Sequence, residues 1–283
     1  MALPLHAETS ERIWYYCFRI ICGMIFFFLI FPILIMFPLS FNAQPYFTFT
    51  PEMLSFDPAG YSTQWYEKFF TSSTWQSAVR NSLIIAFFST LISTFLGTLA
   101  ALGLSRPEFP YKTTIMGILI SPMVVPLIIS AAGMFFFYSR IGLQGSYIGV
   151  ILAHAALATP FVVITVTATL VGFDHSLTRA AASLGSAPTR TFFYITVPLI
   201  TPGVISGALF AFITSFDEVV VVLFVGSVKQ RTIPWAMFSG IREQISPTIL
   251  AVASILVTFS IILLTVLELL RRRNERLRGM SAA

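Results

Sequence analysis

Asp217 and Glu218 stand side by side in a run otherwise rich in Val, Phe and Leu, the one acidic pair placed inside an apolar stretch. An ionised side chain at the centre of a membrane helix costs about 2.5 to 3.5 kcal/mol on insertion scales, so each carboxylate needs compensation. Two chemistries supply it. A carboxylate facing a water-filled path attracts a cationic solute, whereas one at a helix break or beside a partner helix is satisfied by hydrogen bonds and touches no solute. Successive helical residues diverge by about 100°, so the two cannot share one narrow face. Asp217 and Glu218 are therefore the candidate substrate-path residues, with unequal roles expected and Asp217 the heavier.

The other reactive side chains assemble no catalytic set. His6, His154 and His175 lie far apart in sequence. There is neither a His-Glu-x-x-His metal helix nor a Gly-x-Ser-x-Gly nucleophile turn, so catalytic residues and metal ligands are not expected. His154 is read as a buried, helix-bonding residue. Cys17 and Cys22 fall at the start of the first apolar run and read as reduced, lipid-facing thiols. No Gly-x-x-x-x-Gly-Lys-Ser or -Thr loop is present to cradle nucleotide phosphates. No cofactor is expected on this chain, and any ATP must act through another subunit.

The elements that position these residues follow from composition. Of 283 residues 56% are hydrophobic and 10% charged, with a mean hydropathy of +0.85, where soluble domains carry about 25% charged residues. An ordinary cytoplasmic globular protein is excluded. Long apolar runs without period-2 alternation argue against an outer-membrane barrel. At about 20 residues per crossing, six spans are read at Cys17–Ser40, Val79–Leu104, Thr113–Tyr138, Tyr147–Val171, Leu199–Val225 and Pro247–Leu270. The expected fold is all-α and polytopic, with a cytoplasmic segment at 1–16, a membrane domain at 17–270 and a basic tail at 271–283.

Of the 17 Lys and Arg, eleven fall on the side of the two termini and six on the other, which places both termini in the cytoplasm. The net charge of +5 is scattered between apolar runs, so it reads as a topology signal and a contact to anionic lipid rather than a nucleic-acid face. Ser121-Pro122 and Pro126 are expected to interrupt the third span, and Thr159-Pro160 the fourth, because proline frees backbone carbonyls. Gly203 and Gly207 form a small-xxx-small pair suited to close helix contact. Trp65, Tyr66 and Trp75 mark an outer segment able to form an interfacial amphipathic helix or a simple aromatic belt.

The most heavily punctuated segment lies between the fourth and fifth spans, at 172–198. Ser176 can cap a first helix, alanines continue it, Gly185 can end it, and Ser186 with Pro188 can start a second. Two short cytosolic helices are expected there. The small residues leave a narrow face that another protein can approach closely, and Phe192 and Phe193 anchor the second helix.

Here the chain resembles the inner-membrane permease subunits of binding-protein-dependent ABC importers, whose cytoplasmic loop carries Glu-Ala-Ala-x-x-x-Gly and a Leu-Pro further on. Ala180, Ala181, Leu184, Gly185 and Pro198 match; Arg179 stands where the family usually has Glu, and Val197 where it has Leu. Arg80-Asn81-Ser82-Leu83, Ser215-Phe216-Asp217-Glu218, Arg231-Thr232-Ile233-Pro234 and Ser239 to Pro247 resemble the spermidine and putrescine branch.

The resemblance implies the type I importer permease fold in the inner membrane, with Arg179, Ala180, Ala181, Leu184, Gly185 and Pro198 forming an ATPase-coupling loop. It also implies the partners: a second permease subunit, two ATP-binding subunits that use ATP and Mg, and an external solute-binding protein. The chain is then a transport subunit and not an enzyme, with a polyamine as the expected cargo. The alternatives are another small solute such as an opine, an amino acid derivative or a metal, or a secondary transporter or channel.

Overall fold

The computed structural model describes residues 8–106, 109–243 and 246–277. Parts of the expected 1–16 segment and of the basic tail, with His6 and Arg278, lie outside the described residues. Every regular element among the described residues is helical, and the one strand-like contact is an isolated bridge between Asn42 and Tyr61. This is the expected all-α class, because in lipid a helix satisfies its own backbone hydrogen bonds.

In chain order the helices are α1 (Thr9–Ser40), α2 (Pro51–Leu54), α3 (Gln64–Thr71), α4 (Ser73–Leu104), α5 (Lys112–Val124), α6 (Leu127–Arg140) and α7 (Tyr147–Val171). They continue with α8 (His175–Ser183), α9 (Pro188–Thr191), α10 (Val197–Phe216), α11 (Val220–Val225), α12 (Ile233–Glu243) and α13 (Thr248–Leu277). Among the described residues, four stretches are each long and apolar enough to cross a membrane: α1, α4, α7 and the continuous run Pro188–Phe216. The α5–α6 pair passes jointly, and α13 adds an apolar stretch at Thr248–Ile262. That count is consistent with six spans.

The expected interruption of the third span is seen at Pro126 but not at Pro122, which α5 runs through; that of the fourth is not seen, and the fifth span is two helices as well. The third is two helices bent by 102° at Val125–Pro126. Pro126 pushes Val125 into extended backbone (φ −69°, ψ 131°) and cannot continue the helix. The fourth is not interrupted, since α7 runs through Pro160. The fifth is broken at Asp217–Val219, between α10 and α11. Proline ring sterics act in every case; packing decides whether the helix survives them.

Two compact units form, residues 1–72 with 240–283 and residues 73–239. In the first, α1 and α3 pack on α13. Trp65 is turned inward and donates its indole N–H to the Asn42 carbonyl at 2.6 Å. The Tyr66 hydroxyl lies 2.6 Å from Ser40 Oγ and 2.8 Å from Ser254 Oγ. These aromatics are structural pins within the unit, not a free interfacial helix. Most of α1 is exposed apolar surface, with Cys17 exposed, Cys22 partly so, and both thiols free.

In the second unit α4, α7 and α10 pack against one another around Val162, Val166, Ala158 and Ala211. Glycines permit the approach. A Cβ at Gly97 would meet Val162 Cβ at 2.7 Å, and one at Gly207 would meet Thr165 Oγ1 at 2.5 Å and Val162 Cα at 3.0 Å. Gly203 likewise faces Thr169 with no room for a side chain.

Candidate functional site

The 172–198 segment folds from local signals, though not all those anticipated. The cap of α8 is Asp174 rather than Ser176: its carboxylate accepts the Ser176 N–H at 2.8 Å and the Ser176 hydroxyl at 2.7 Å. The Ser176 hydroxyl, then its N–H, with lesser help from Arg179, hold the exposed Asp174 carboxyl below the usual carboxylate range. Gly185 ends the helix as expected, at φ +80°. Its N–H bonds the Ala182 carbonyl at 2.9 Å and the Ser186 N–H bonds that of Ala181 at 3.0 Å, the pairing that closes a helix through a left-handed residue.

The second helix of this segment is not a separate short element. From Pro188 the helix runs on into the fifth span through a widened turn at Phe192–Thr196, where the Val197 N–H reaches back five residues to the Phe192 carbonyl. Pro198 explains the widening, because its nitrogen donates nothing and its ring crowds the carbonyl four residues back. Ala181 is buried against this turn's side of the segment, whereas Arg179, Ala180, Gly185 and Pro198 are exposed and Leu184 is 88% exposed. Phe193 and Tyr194 are exposed too, with Arg190 stacked over the Tyr194 ring at 5.7 Å. The expected anchoring by Phe193 is therefore not seen; Phe192 is the half-buried member of the pair. The result is an open, partly apolar surface bearing two arginines.

The acidic pair falls at the break after α10, and its two members part. Asp217 is exposed, and its N–H closes the last turn of α10 on Ile213. Glu218 is only 8% exposed. Its Oε1 accepts the Val221 N–H at 2.9 Å, which holds the carboxylate at the start of α11. Glu218 thereby caps α11 and lines a cavity of about 200 Å³ with Pro122, Met123, Leu127, Leu157, Phe161 and Thr214. Pro122, Met123 and Leu127 come from either side of the α5–α6 bend, so the two broken helices meet at this cavity. The Phe161 ring is backed by Phe210, nearly parallel at 6.4 Å.

One carboxylate among apolar and aromatic walls can balance a cationic group while the walls accept methylene chains. The expectation that Asp217 weighs more finds no geometric footing, because Asp217 does not line the cavity. Sequence reasoning missed Phe161, Leu157, Thr214 and Met123, which lie on three helices with no shared motif.

It also missed that two quoted motifs meet. Asn81 Nδ2 donates to the Lys229 and Arg231 carbonyls at 2.9 and 2.8 Å, and its Oδ1 accepts from Tyr147 Oη at 2.7 Å. Ser82 Oγ accepts the Ile233 N–H at 2.8 Å. Asn81 and Ser82 thus pin the loop between α11 and α12, while the Arg231 guanidinium stacks on Trp235 at 4.1 Å.

Long apolar helices, two of them broken at a common cavity, and a capped helix with an exposed face are the parts expected of a transport subunit. Residues 93–276 match the family of binding-protein-dependent transport system inner membrane components, and the chain belongs to that family as a multi-pass inner-membrane permease subunit of an importer. It is 32% identical over 252 residues, 89% of this chain and 95% of the relative, to the spermidine/putrescine transport system permease protein PotC of Haemophilus influenzae. It is 31% identical over 238 residues, 82% of each, to the putrescine transport system permease protein PotI of Escherichia coli. Among solved structures, its fold is similar to a bacterial ABC transporter that imports the acidic polysaccharide alginate (TM-score 0.72, 15% identity, 94% of this chain and 99% of that one). It is also similar to an alginate transporter in complex with its periplasmic protein (TM-score 0.62, 16% identity, 96% and 97%).

Proposed function

We propose that this permease subunit forms half of the translocation path for a small organic cation of the polyamine class. The observation that carries the reading is Glu218, a buried carboxylate lining a mostly apolar cavity where two broken helices meet. An amine leaving water loses solvation, and a carboxylate in a low-dielectric wall restores part of it. Relatives named as spermidine and putrescine permeases support the same cargo. In this reading the chain works with a second permease subunit, an external solute-binding protein and two ATPases that bind ATP and Mg. The 172–198 surface docks an ATPase through Arg179, Ala180, Leu184, Gly185 and the exposed aromatics. Because Arg179 replaces the usual acidic residue, that contact relies on shape and on an acidic partner surface. Both termini lie in the cytoplasm, and the basic 271–283 tail meets anionic lipid heads.

The test is ATP-driven uptake by the assembled complex in proteoliposomes, with its binding protein outside. Labelled putrescine is expected to accumulate while butane-1,4-diol, of the same length and uncharged, does not. Accumulation of an uncharged solute or an anion with no putrescine uptake overturns the cargo assignment.

A further inference from the structure

His154 is a buried titratable group that the proposed path does not use. It sits on α7 at 1% exposure, and its Nδ1 lies 3.1 Å from the Ser215 carbonyl oxygen and 2.9 Å from Ser215 Oγ. A carbonyl only accepts, so the bond to it is made by the tautomer that carries its proton on Nδ1. Nε2 has no hydrogen-bond partner among the described residues.

In an unbroken helix the Ser215 carbonyl would accept the N–H of Val219, four residues on. The break removes that donor: the end of α10 closes with the Asp217 N–H on Ile213, and among the described residues no backbone hydrogen bond runs from Val219 to Ser215. Left alone, the carbonyl of Ser215, a residue 3% exposed near the end of α10, would be a buried orphan acceptor. His154 fills the gap. Its helix also carries Leu157 and Phe161, three and seven residues further and so on the same face, and both line the cavity. Thr214, adjacent to the anchored Ser215, lines it as well. One hydrogen bond therefore ties the wall that carries Phe161 to the helix end that carries Glu218.

We infer that His154 is a positioning residue: it replaces the donor lost at the α10–α11 break and so holds the Glu218 carboxylate against the cavity. The inference rests on the proposed role of Glu218 in the path. His154→Leu removes the donor and keeps most of the volume; His154→Asn keeps a donor near the place of Nδ1. All variants are compared as assembled complexes in proteoliposomes, at saturating loaded binding protein, by maximal putrescine uptake.

His154→Leu is expected to lose roughly fivefold or more in rate, the order of one buried hydrogen bond, with His154→Asn keeping most of it. In a Glu218→Gln background, where no carboxylate remains to be positioned, His154→Leu is expected to cost nothing further. Losses that multiply in the double variant mean a general packing role and overturn the inference, as does an unchanged rate for His154→Leu beside a slow Glu218→Gln. Native rates in Glu218→Gln overturn the cavity reading instead. Should His154→Leu fail to assemble, His154→Gln, which keeps a donor but displaces it, is read by the same double-variant comparison.

Discussion

At the scale of single residues, the acidic pair illustrates how neighbours in sequence become unlike in chemistry. Glu218 lines the cavity and caps α11, whereas Asp217 is exposed at the end of α10. Glu218→Gln keeps shape and loses charge, so it is expected to slow polyamine uptake at unchanged membrane level, and Asp217→Asn to do so less. Native rates in both single variants and in the double variant would remove the pair from the path. Asp174 gives a second residue-scale expectation. Its carboxyl is held below the usual range by Ser176, so its contribution to the α8 cap is present above the unfolded value of about 3.9 and is lost as pH falls through the depressed native one. Amide protection factors in the first turn of α8 are expected to be steady near neutrality and to drop below about pH 4, a change that Asp174→Ala abolishes.

At the scale of elements, Gly185 separates a backbone requirement from a contact. Its φ of +80° is costly for any side chain, about 1 to 2 kcal/mol for an L-residue, yet a Cβ there meets nothing within 4 Å. Gly185→Ala and Gly185→Trp therefore carry the same backbone penalty and differ only in what fills the open space. If an ATPase docks on this face, Trp is expected to reduce ATPase co-purification and substrate-stimulated hydrolysis well beyond Ala. Equal effects would place the docking surface elsewhere. The signals that end α8 and start the next helix, Gly185 and Pro188, were legible because they act within a turn. The continuation of that helix into the fifth span was not. Pro198 looks like a second start, but a widened turn at Phe192–Thr196 absorbs it.

At the scale of the whole molecule, the second unit depends on α4, α7 and α10 approaching closely where lipid supplies no hydrophobic drive between helices. Gly207→Val puts methyl groups where Thr165 Oγ1 and Val162 Cα already lie. Overpacking of this kind costs about 1 to 3 kcal/mol. A lower thermal unfolding midpoint is expected for the detergent-purified complex, with Gly117→Ala, whose Cβ meets nothing within 4 Å, as the unchanged control. A midpoint unaffected by Gly207→Val would mean that α7 and α10 can separate without loss.

The chain's composition and local punctuation by themselves determined an all-helical membrane protein, the approximate spans, the capped segment at 172–198 and the family it resembles. Those properties follow from the length of apolar runs and from glycine and proline acting on adjacent residues. Tertiary structure alone decided that α5 and α7 run on through Pro122 and Pro160, while Pro126 breaks its helix as expected. It also decided that Glu218 rather than Asp217 reaches the cavity, that Phe161, Leu157 and Thr214 converge there, and that Asn81 ties two distant motifs together. Helices that are apolar all round carry no periodicity to say which face turns inward. Side chains far apart in sequence meet only through packing, so the cavity belongs to the arrangement of helices and to no stretch of sequence.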